Sequence, residues 1–365
     1  MSTNIKTVGC IGAGQLGRML ALAGYRLGLK FVFLDKSKDA PGGQIGDIVL
    51  GEFSDPKKVA ELAAKVDILT YDVENVPVEA LASVPKDMTF LPPRVALAAG
   101  QDRLSEKTLF NELKIPTTKF RPVQTMADME EAIQSVGYPA VLKTRRLGYD
   151  GRGQRVIRSP AELGSAFNSL NGVPLILEEF IPFEREVSLI GVRNTKGETA
   201  FYPLAENTHR EGILRLSVAP YPDKKLQAQA QKHMKKLMDR FEYAGVLTIE
   251  FFVRKGKLIA NETAPRVHNS GHWTIEGAVT GQFENHMRAI LGLPLGETWA
   301  VGYSAMINFI GTMPTREEVL AIPGAHYHDY GKEPRPGRKL GHATVVCRTR
   351  KELMSRLKKF PGLTS

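Results

Sequence analysis

The sequence predicts a chain of two characters, α/β at its N-terminal end and α+β beyond, on three observations. A strand, a glycine turn, a helix and a second strand follow one another over residues 7–35. Strands interrupted by a glycine-rich loop follow from about residue 139. Two apolar runs, VLTIEFFV and KLIANETAP, are then joined by RKGK, which is a hairpin signature.

Residues 7–11 (TVGCI) form an apolar run that stops at Gly12. The spacing then turns helical, with Leu16, Met19, Leu20 and Ala23 on one face. FVFLD is the next strand, and the three elements close as a right-handed βαβ unit with a parallel pair. DIVLGEF, a helix over 56–65 and DILTYDVENVP continue the pattern, and Pro92-Pro93 closes a first unit placed at 1–98. A helix over 102–114, ended by IPTTKF, opens a second unit at 99–182, with PAVLKT, a glycine loop, RVI, a helix over 160–170 and LILEEFI. The third unit, 183–365, holds the hairpin and a helix over 224–241. On that helix Leu226, Ala230, Met234, Leu237, Met238 and Phe241 fall on one stripe. A strand-rich extension follows from about 312, and there is no internal repeat.

A length of 365 residues with 42% hydrophobic and 24% charged residues excludes collagen, coiled coil and wholesale disorder. No apolar run approaches the roughly 18 residues needed to span a bilayer, and MSTNIKTVGC lacks the layout of a secretion signal, so a cytoplasmic protein is expected. Cys10 and Cys347 are too few for a disulfide framework or a thiolate metal site, and read as small core residues. The net charge of +10 is concentrated at 332–359, with ten Lys or Arg against two Glu. That cluster suits a phosphate-bearing ligand as well as a nucleic acid; neither a nucleic acid nor a membrane is the expected partner.

Gly12-Ala13-Gly14-Gln15-Leu16-Gly17, with Asp35 ending the next strand, fits the dinucleotide fingerprint and raises a nicotinamide oxidoreductase as one reading. Its physical meaning is narrower: glycines let backbone N–H groups at a helix start approach an anion or a polar ligand, which Gln15 can face. No hydride-transfer pair follows in the chain.

Later segments make a stronger case. Opposed residues of a hairpin have a constant index sum, and a symmetric loop centred on Gly256 sets Glu250 against Glu262. Two carboxylates about 5 Å apart at Cβ repel unless a cation or a proton intervenes. An oxygen-only pair favours Mg²⁺ shared with substrate phosphates. The plainer alternatives are an Arg partner such as Arg266, or a bulge that breaks the pairing. Lys143 closes an apolar strand ahead of the loop Gly148-Tyr149-Asp150-Gly151-Arg152-Gly153-Gln154, an arrangement able to hold phosphate charge beneath loop amides. LILEEFIP offers a place for a purine, and Glu186 for ribose hydroxyls. His268 and His272 have a spacing of four, but Gly271 opposes a helix and no third ligand is near, so zinc is not expected. His268 reads as a substrate contact and His272 as a loop or core residue. His233, His326 and His328 read as solvated.

These residues resemble the ATP-grasp ligases, and within them the 5-(carboxyamino)imidazole ribonucleotide synthases of purine biosynthesis. The resemblance runs through GAGQLGRML, DVENVP, AGQDRLSEK, GYDGRGQ, ENTHREGILRLSVAP, NETAPRVHNSGHWT and RPGRKLGHAT, over nearly the whole chain. It implies an ATP-grasp fold with an N-terminal Rossmann-like parallel-sheet domain, a small glycine-loop middle domain and a C-terminal mixed-sheet domain. ATP would meet Arg103, Lys143, Gly148 to Gln154, Glu178, Glu179, Phe180, Ile181, Glu186, His209, Asn261 and Glu262. Glu250 and Glu262 would hold Mg²⁺ or Mn²⁺. Aminoimidazole ribonucleotide would meet Gln15, Glu74, Arg266, His268, Arg338 and Lys339. Tyr149, Asp150, Arg152, His268 and Lys339 would form the reacting end. Leu147 stands where many members have glycine, and Asp72 replaces a frequent glutamate.

The resemblance further implies bicarbonate attack on the γ-phosphate of ATP, then carboxylation of the exocyclic amine, by a homodimer. A formate-dependent glycinamide ribonucleotide transformylase shares the ATP site and is the nearest alternative, but RPGRKLGH favours the imidazole ligase.

Overall fold

The computed structural model describes residues 6–148, 153–170 and 172–360, which form three sheets. The first is parallel, in the order β3-β2-β1-β4, from β1 (Thr7–Ile11), β2 (Lys30–Asp35), β3 (Asp47–Leu50) and β4 (Ile68–Tyr71). Its strands are apolar on both faces because each face meets a helix. Phe31 and Phe33 share a core with α1 (Gln15–Tyr25), whereas Val32 and Leu34 share another with α2 (Pro56–Ala63).

Two helices, α3 (Arg94–Gly100) and α4 (Arg103–Glu112), lead out of this layer. Asp102 starts α4 by accepting the N–H groups of Leu104 and Ser105, which have no partner inside the helix. The second sheet is antiparallel, β5-β8-β6-β7, from β5 (Phe120–Val123), β6 (Ala140–Thr144), β7 (Gln154–Ile157) and β8 (Leu175–Glu179). It shares a core with α5 (Met126–Val136) and α6 (Leu163–Leu170).

The third sheet runs β14-β13-β9-β11-β12-β15-β17-β16, with β10 on β9. Its strands are β9 (Arg185–Arg193), β10 (Thr199–Phe201), β11 (Ala205–Arg210), β12 (Ile213–Ala219), β13 (Gly245–Arg254), β14 (Lys257–Ala264), β15 (Tyr303–Ile310), β16 (Ala325–Asp329) and β17 (Lys339–Cys347). The mixed sheet expected here is antiparallel in these pairings, apart from an isolated parallel bridge between Thr117 and Ala260. Close returns such as β11–β12 and β13–β14 leave no length for the crossover a parallel pair needs. The stripe of α7 (Lys224–Arg240), Leu226, Ala230, Met234, Leu237 and Met238, is buried against this sheet.

Two short helices, α8 (Thr274–Gly277) and α9 (Gln282–Ile290), complete the layer beside α1. On α9, His286 Nδ1 accepts the N–H of Val246 at 3.2 Å, which leaves Nε2–H for Thr70 Oγ1 of β4 at 3.0 Å. One neutral imidazole thus fastens the first sheet to the third. Cys10 and Cys347 are buried and unbonded to each other. Among the described residues, no helix is long and apolar enough to cross a membrane.

Candidate active site

A cavity of about 880 Å³ is walled by all three sheets. Its floor is the β13–β14 hairpin, where Glu250 lies directly opposite Glu262. The expected pairing is present, but not through a symmetric loop. Around the turn Arg254 faces Lys257 and Phe251 faces Ala260, a register one residue short of the 250–262 pair. A bulge between Glu250 and Phe251, with Asn261 as the extra residue, restores it. The irregularity that would break a symmetric hairpin therefore makes this carboxylate pair.

Each carboxylate has a different neighbour. Arg103 donates to Glu262 Oε2 at 3.0 Å, and His268 Nε2 lies 3.3 Å from Glu250 Oε1. Arg266, the expected alternative partner, instead meets Glu74 Oε1 at 3.1 Å. Burial and the facing Glu262 push the Glu250 carboxyl up to about 7. For Glu262, burial acts upward but Arg103 and Lys143 outweigh it and hold the group low. Burial and the nearby Arg266 and Lys339 keep His268 far below the usual imidazole range, hence neutral. A magnesium or manganese ion fits this pair: the donors are hard oxygens, and a cation would relieve the repulsion that raises Glu250. Among the described residues no three His, Cys, Asp or Glu converge into a closed cage, so phosphate oxygens would complete the shell.

One wall carries the cations expected to meet phosphate. Lys143, at the end of β6, donates to Glu178 Oε2 at 3.1 Å. Gly148, Gln154, Glu179, Phe180 and Ile181 line the same region. His209 Nδ1 and Glu186 Oε2 lie 3.0 Å apart on β11 and β9, and Asn261 joins them at the cavity surface. Gly153 backs the loop, with φ +70° against the Thr144 side chain. Tyr149, Asp150, Gly151 and Arg152 lie outside the described residues.

The opposite wall comes from the first sheet. Gln15 follows the glycine turn, and Glu74 is held by Gln101, whose amide donates to the Glu74 carbonyl at 2.7 Å and to that of Val76 at 2.6 Å. Lys339 reaches the cavity from β17. Arg338 donates to the Glu333 carbonyl at 3.0 Å in this arrangement. From the same loop Lys332 donates to Gln15 Oε1, and so draws the basic loop onto the glycine turn. His272 is a fully buried core residue beside Phe283 and His342. His328, expected in solvent, is stacked on His342 and paired with Glu276 at 2.7 Å.

Sequence reasoning missed Glu106 and Lys107. Glu106 accepts both the N–H and the hydroxyl of Thr263 at 2.6 Å, beside Glu262, and Lys107 lies 3.2 Å from Glu178. A signal was present: Arg103, Glu106 and Lys107 share one face of α4 at spacings of three and four, and a helix inside a protein must bury one face.

Matches to known families divide the third sheet, with β9–β14 in one and β16, β17 and nearly all of β15 in the next. Residues 5–101 match a ribonucleotide synthetase preATP-grasp domain, 108–283 an ATP-grasp domain, and 304–356 a phosphoribosylaminoimidazole carboxylase C-terminal domain. The N5-carboxyaminoimidazole ribonucleotide synthase of Pseudomonas aeruginosa is 50% identical over 358 residues, covering 98% of this chain and 99% of that protein. The crystal structure of N5-carboxyaminoimidazole ribonucleotide synthetase from Thermus thermophilus superposes with a TM-score of 0.93 at 52% identity, over 98% of both chains. That of N5-carboxyaminoimidazole synthase from Aspergillus clavatus, in complex with ADP and 5-aminoimidazole ribonucleotide, gives 0.92 at 31% identity, over 99% of this chain and 98% of that one. With its parallel first sheet, its carboxylate pair facing buried cations, and identity sustained from end to end, this chain belongs to the N5-carboxyaminoimidazole ribonucleotide synthase family of ATP-grasp ligases.

Proposed function

We propose that this protein uses ATP and bicarbonate to carboxylate the exocyclic amine of 5-aminoimidazole ribonucleotide, giving N5-carboxyaminoimidazole ribonucleotide, ADP and phosphate. The observation that carries the reading is the Glu250–Glu262 pair, set in one cavity with Arg103 and Lys143 on one side and Gln15, Glu74 and Lys339 on the other. In this reading residues 1–98 and Lys339 hold the imidazole nucleotide, and 99–182 closes over ATP.

A bicarbonate oxygen attacks the γ-phosphorus, the bond to the β-phosphate oxygen breaks, and carboxyphosphate and ADP form. The amine nitrogen then bonds to the carboxyl carbon, directly or through CO₂, and phosphate leaves. Lys143 and Arg103 balance charge on the phosphates, and neutral His268 holds the imidazole side beside Glu250. Magnesium or manganese between Glu250 and Glu262 would add positive charge at the phosphate oxygens and orient the terminal one. Asp150 takes the amine proton, and Tyr149 and Arg152 are assigned to the same reacting end. A cytoplasmic location and a homodimer belong to the same proposal. Exposed Leu22 and Tyr25 on α1 are the apolar surface offered to a second copy.

The test measures ADP release by the purified protein with Mg-ATP, with and without bicarbonate and aminoimidazole ribonucleotide, together with loss of the free amine. Amine loss matched to ADP and dependent on bicarbonate is expected. ADP release with the amine intact would overturn the carboxylation.

A further inference from the structure

Lys107 is 1% exposed, and its ammonium has three partners: Glu178 Oε2 at 3.2 Å, the Asn261 carbonyl at 3.2 Å and Thr117 Oγ1 at 3.3 Å. Two of its N–H groups donate to Asn261 and Thr117, and the side chain does not line the cavity. Lys143 differs. It lines the cavity, and it shares with Lys107 the same carboxylate oxygen, Glu178 Oε2. Glu178 is 1% exposed; burial pushes its carboxyl up, but Lys107, Lys143 and Arg103 outweigh burial and bring it to about 2. Two ammonium groups therefore stand on one buried carboxylate, while Arg103 is matched by Glu262. The surplus positive charge lies on the side that opens to the cavity.

We propose that Lys107 is a positioning residue for nucleotide binding: as the standing counter-ion of Glu178, it frees Lys143 to exchange that carboxylate for a phosphate. The inference rests on the ATP-dependent reading above. Without Lys107, Lys143 is the remaining ammonium on Glu178, and moving it to a phosphate leaves a buried anion with the Thr118 hydroxyl but no paired cation. With Lys107 in place, the move leaves a complete pair behind.

The experiment is a cycle of Lys107→Met, Glu178→Gln and the double variant, read by the Kd of Mg-ADP in calorimetry and by KM for ATP and for the imidazole nucleotide. In the wild-type background, Lys107→Met is expected to weaken Mg-ADP and raise KM for ATP by about 10-fold or more, with KM for the imidazole nucleotide within about 2-fold. In the E178Q background the same change is expected to cost less than about 2-fold, because no carboxylate remains to compete for Lys143. An equal loss in both backgrounds, an unchanged nucleotide Kd, or equal rises in both KM values would overturn the proposal. Lys107→Gln, which keeps a polar group in the site, runs through the same cycle if the methionine variant does not fold. Mg-ADP binding without turnover of the imidazole nucleotide would count against the reaction proposed above and leave the Kd comparison to judge Lys107.

Discussion

The carboxylate of Asp72 accepts the backbone N–H of Gly17 at 2.8 Å, so the glycine turn that reads as a dinucleotide site already holds an anion of its own chain. A Cβ on Gly12 would lie 1.7 Å from Asp72 Oδ1, and one on Gly14 3.1 Å from Oδ2. The glycines are needed for the approach of Asp72, whose carboxylate takes the helix-start N–H of Gly17 that an anionic ligand would otherwise meet. Asp35, whose position suggests ribose binding, turns inward and accepts the N–H of Ala13 at 3.0 Å. Both signals of the fingerprint are thus satisfied internally.

Asp72 carries a testable cost. Burial raises its carboxyl from 3.8 to about 6, against the opposing hydrogen bond from Gly17. The folded protein therefore holds this proton more tightly than the unfolded chain does. The penalty is absent below pH 4, grows between 4 and 6, and is complete above 6, at roughly 3 kcal/mol. Asp72→Asn keeps an acceptor for Gly17, so it should raise thermal stability at pH 8 and do little at pH 4. Equal shifts at both pH values would count against the assignment.

Glu250→Gln and Glu262→Gln should each fold, since both side chains border the cavity and Gln preserves shape. Each should lower kcat/KM for ATP by at least about 100-fold, as expected when a group organising transition-state charge is lost. Steady-state ADP release beside a thermal melt checks both halves. Activity within about 3-fold of wild type in either variant would remove that residue from the site.

Leu147 is 84% exposed and adopts φ +60°, the left-handed region where a side chain costs about 1 kcal/mol and glycine costs little. A glycine would hold this backbone without that cost. Leu147→Gly should be tolerated in folding, with a melting temperature equal to or above that of wild type. A clear drop in melting temperature would show that the leucine side chain makes contacts worth more than the strain.

Burial lowers the His286 imidazole to about 3. A His depressed in this way contributes stability that is full above the unfolded value near 6.5 and is lost as the pH falls towards 3. His286→Gln should flatten the fall in unfolding free energy between pH 6.5 and 4, measured by urea titration. At neutral pH it should also destabilise by about 1–3 kcal/mol if Val246 N–H and Thr70 lose a partner. An unchanged pH slope would show that another group takes up the proton.

The local grammar of the chain was legible. Residues 7–11 form β1, the stripe from Leu226 to Met238 is the buried face of α7, and the hairpin lies where its two apolar runs place it. Glu250 and Glu262 were paired correctly for a reason the structure replaces: a bulge at Asn261 offsets a shorter turn. Likeness placed Arg338 at the substrate but did not mark Lys332, which the loop sets against Gln15. Lys107 was passed over because a charged residue in a helix usually faces water.

By itself the sequence determined the order of strands and helices, the parallel start, the carboxylate hairpin and the family. Those follow from side-chain periodicity, turn chemistry and motif spacing, which act over a few residues or are carried whole in the chain. The tertiary structure alone decided that Asp72 fills the glycine turn, that Glu178 is shared by Lys107 and Lys143, and that His286 fastens two sheets. Each joins residues between 35 and 216 positions apart. The charge and partner of a buried polar group depend on what folding brings within about 3 Å of it, and no local pattern encodes that neighbour.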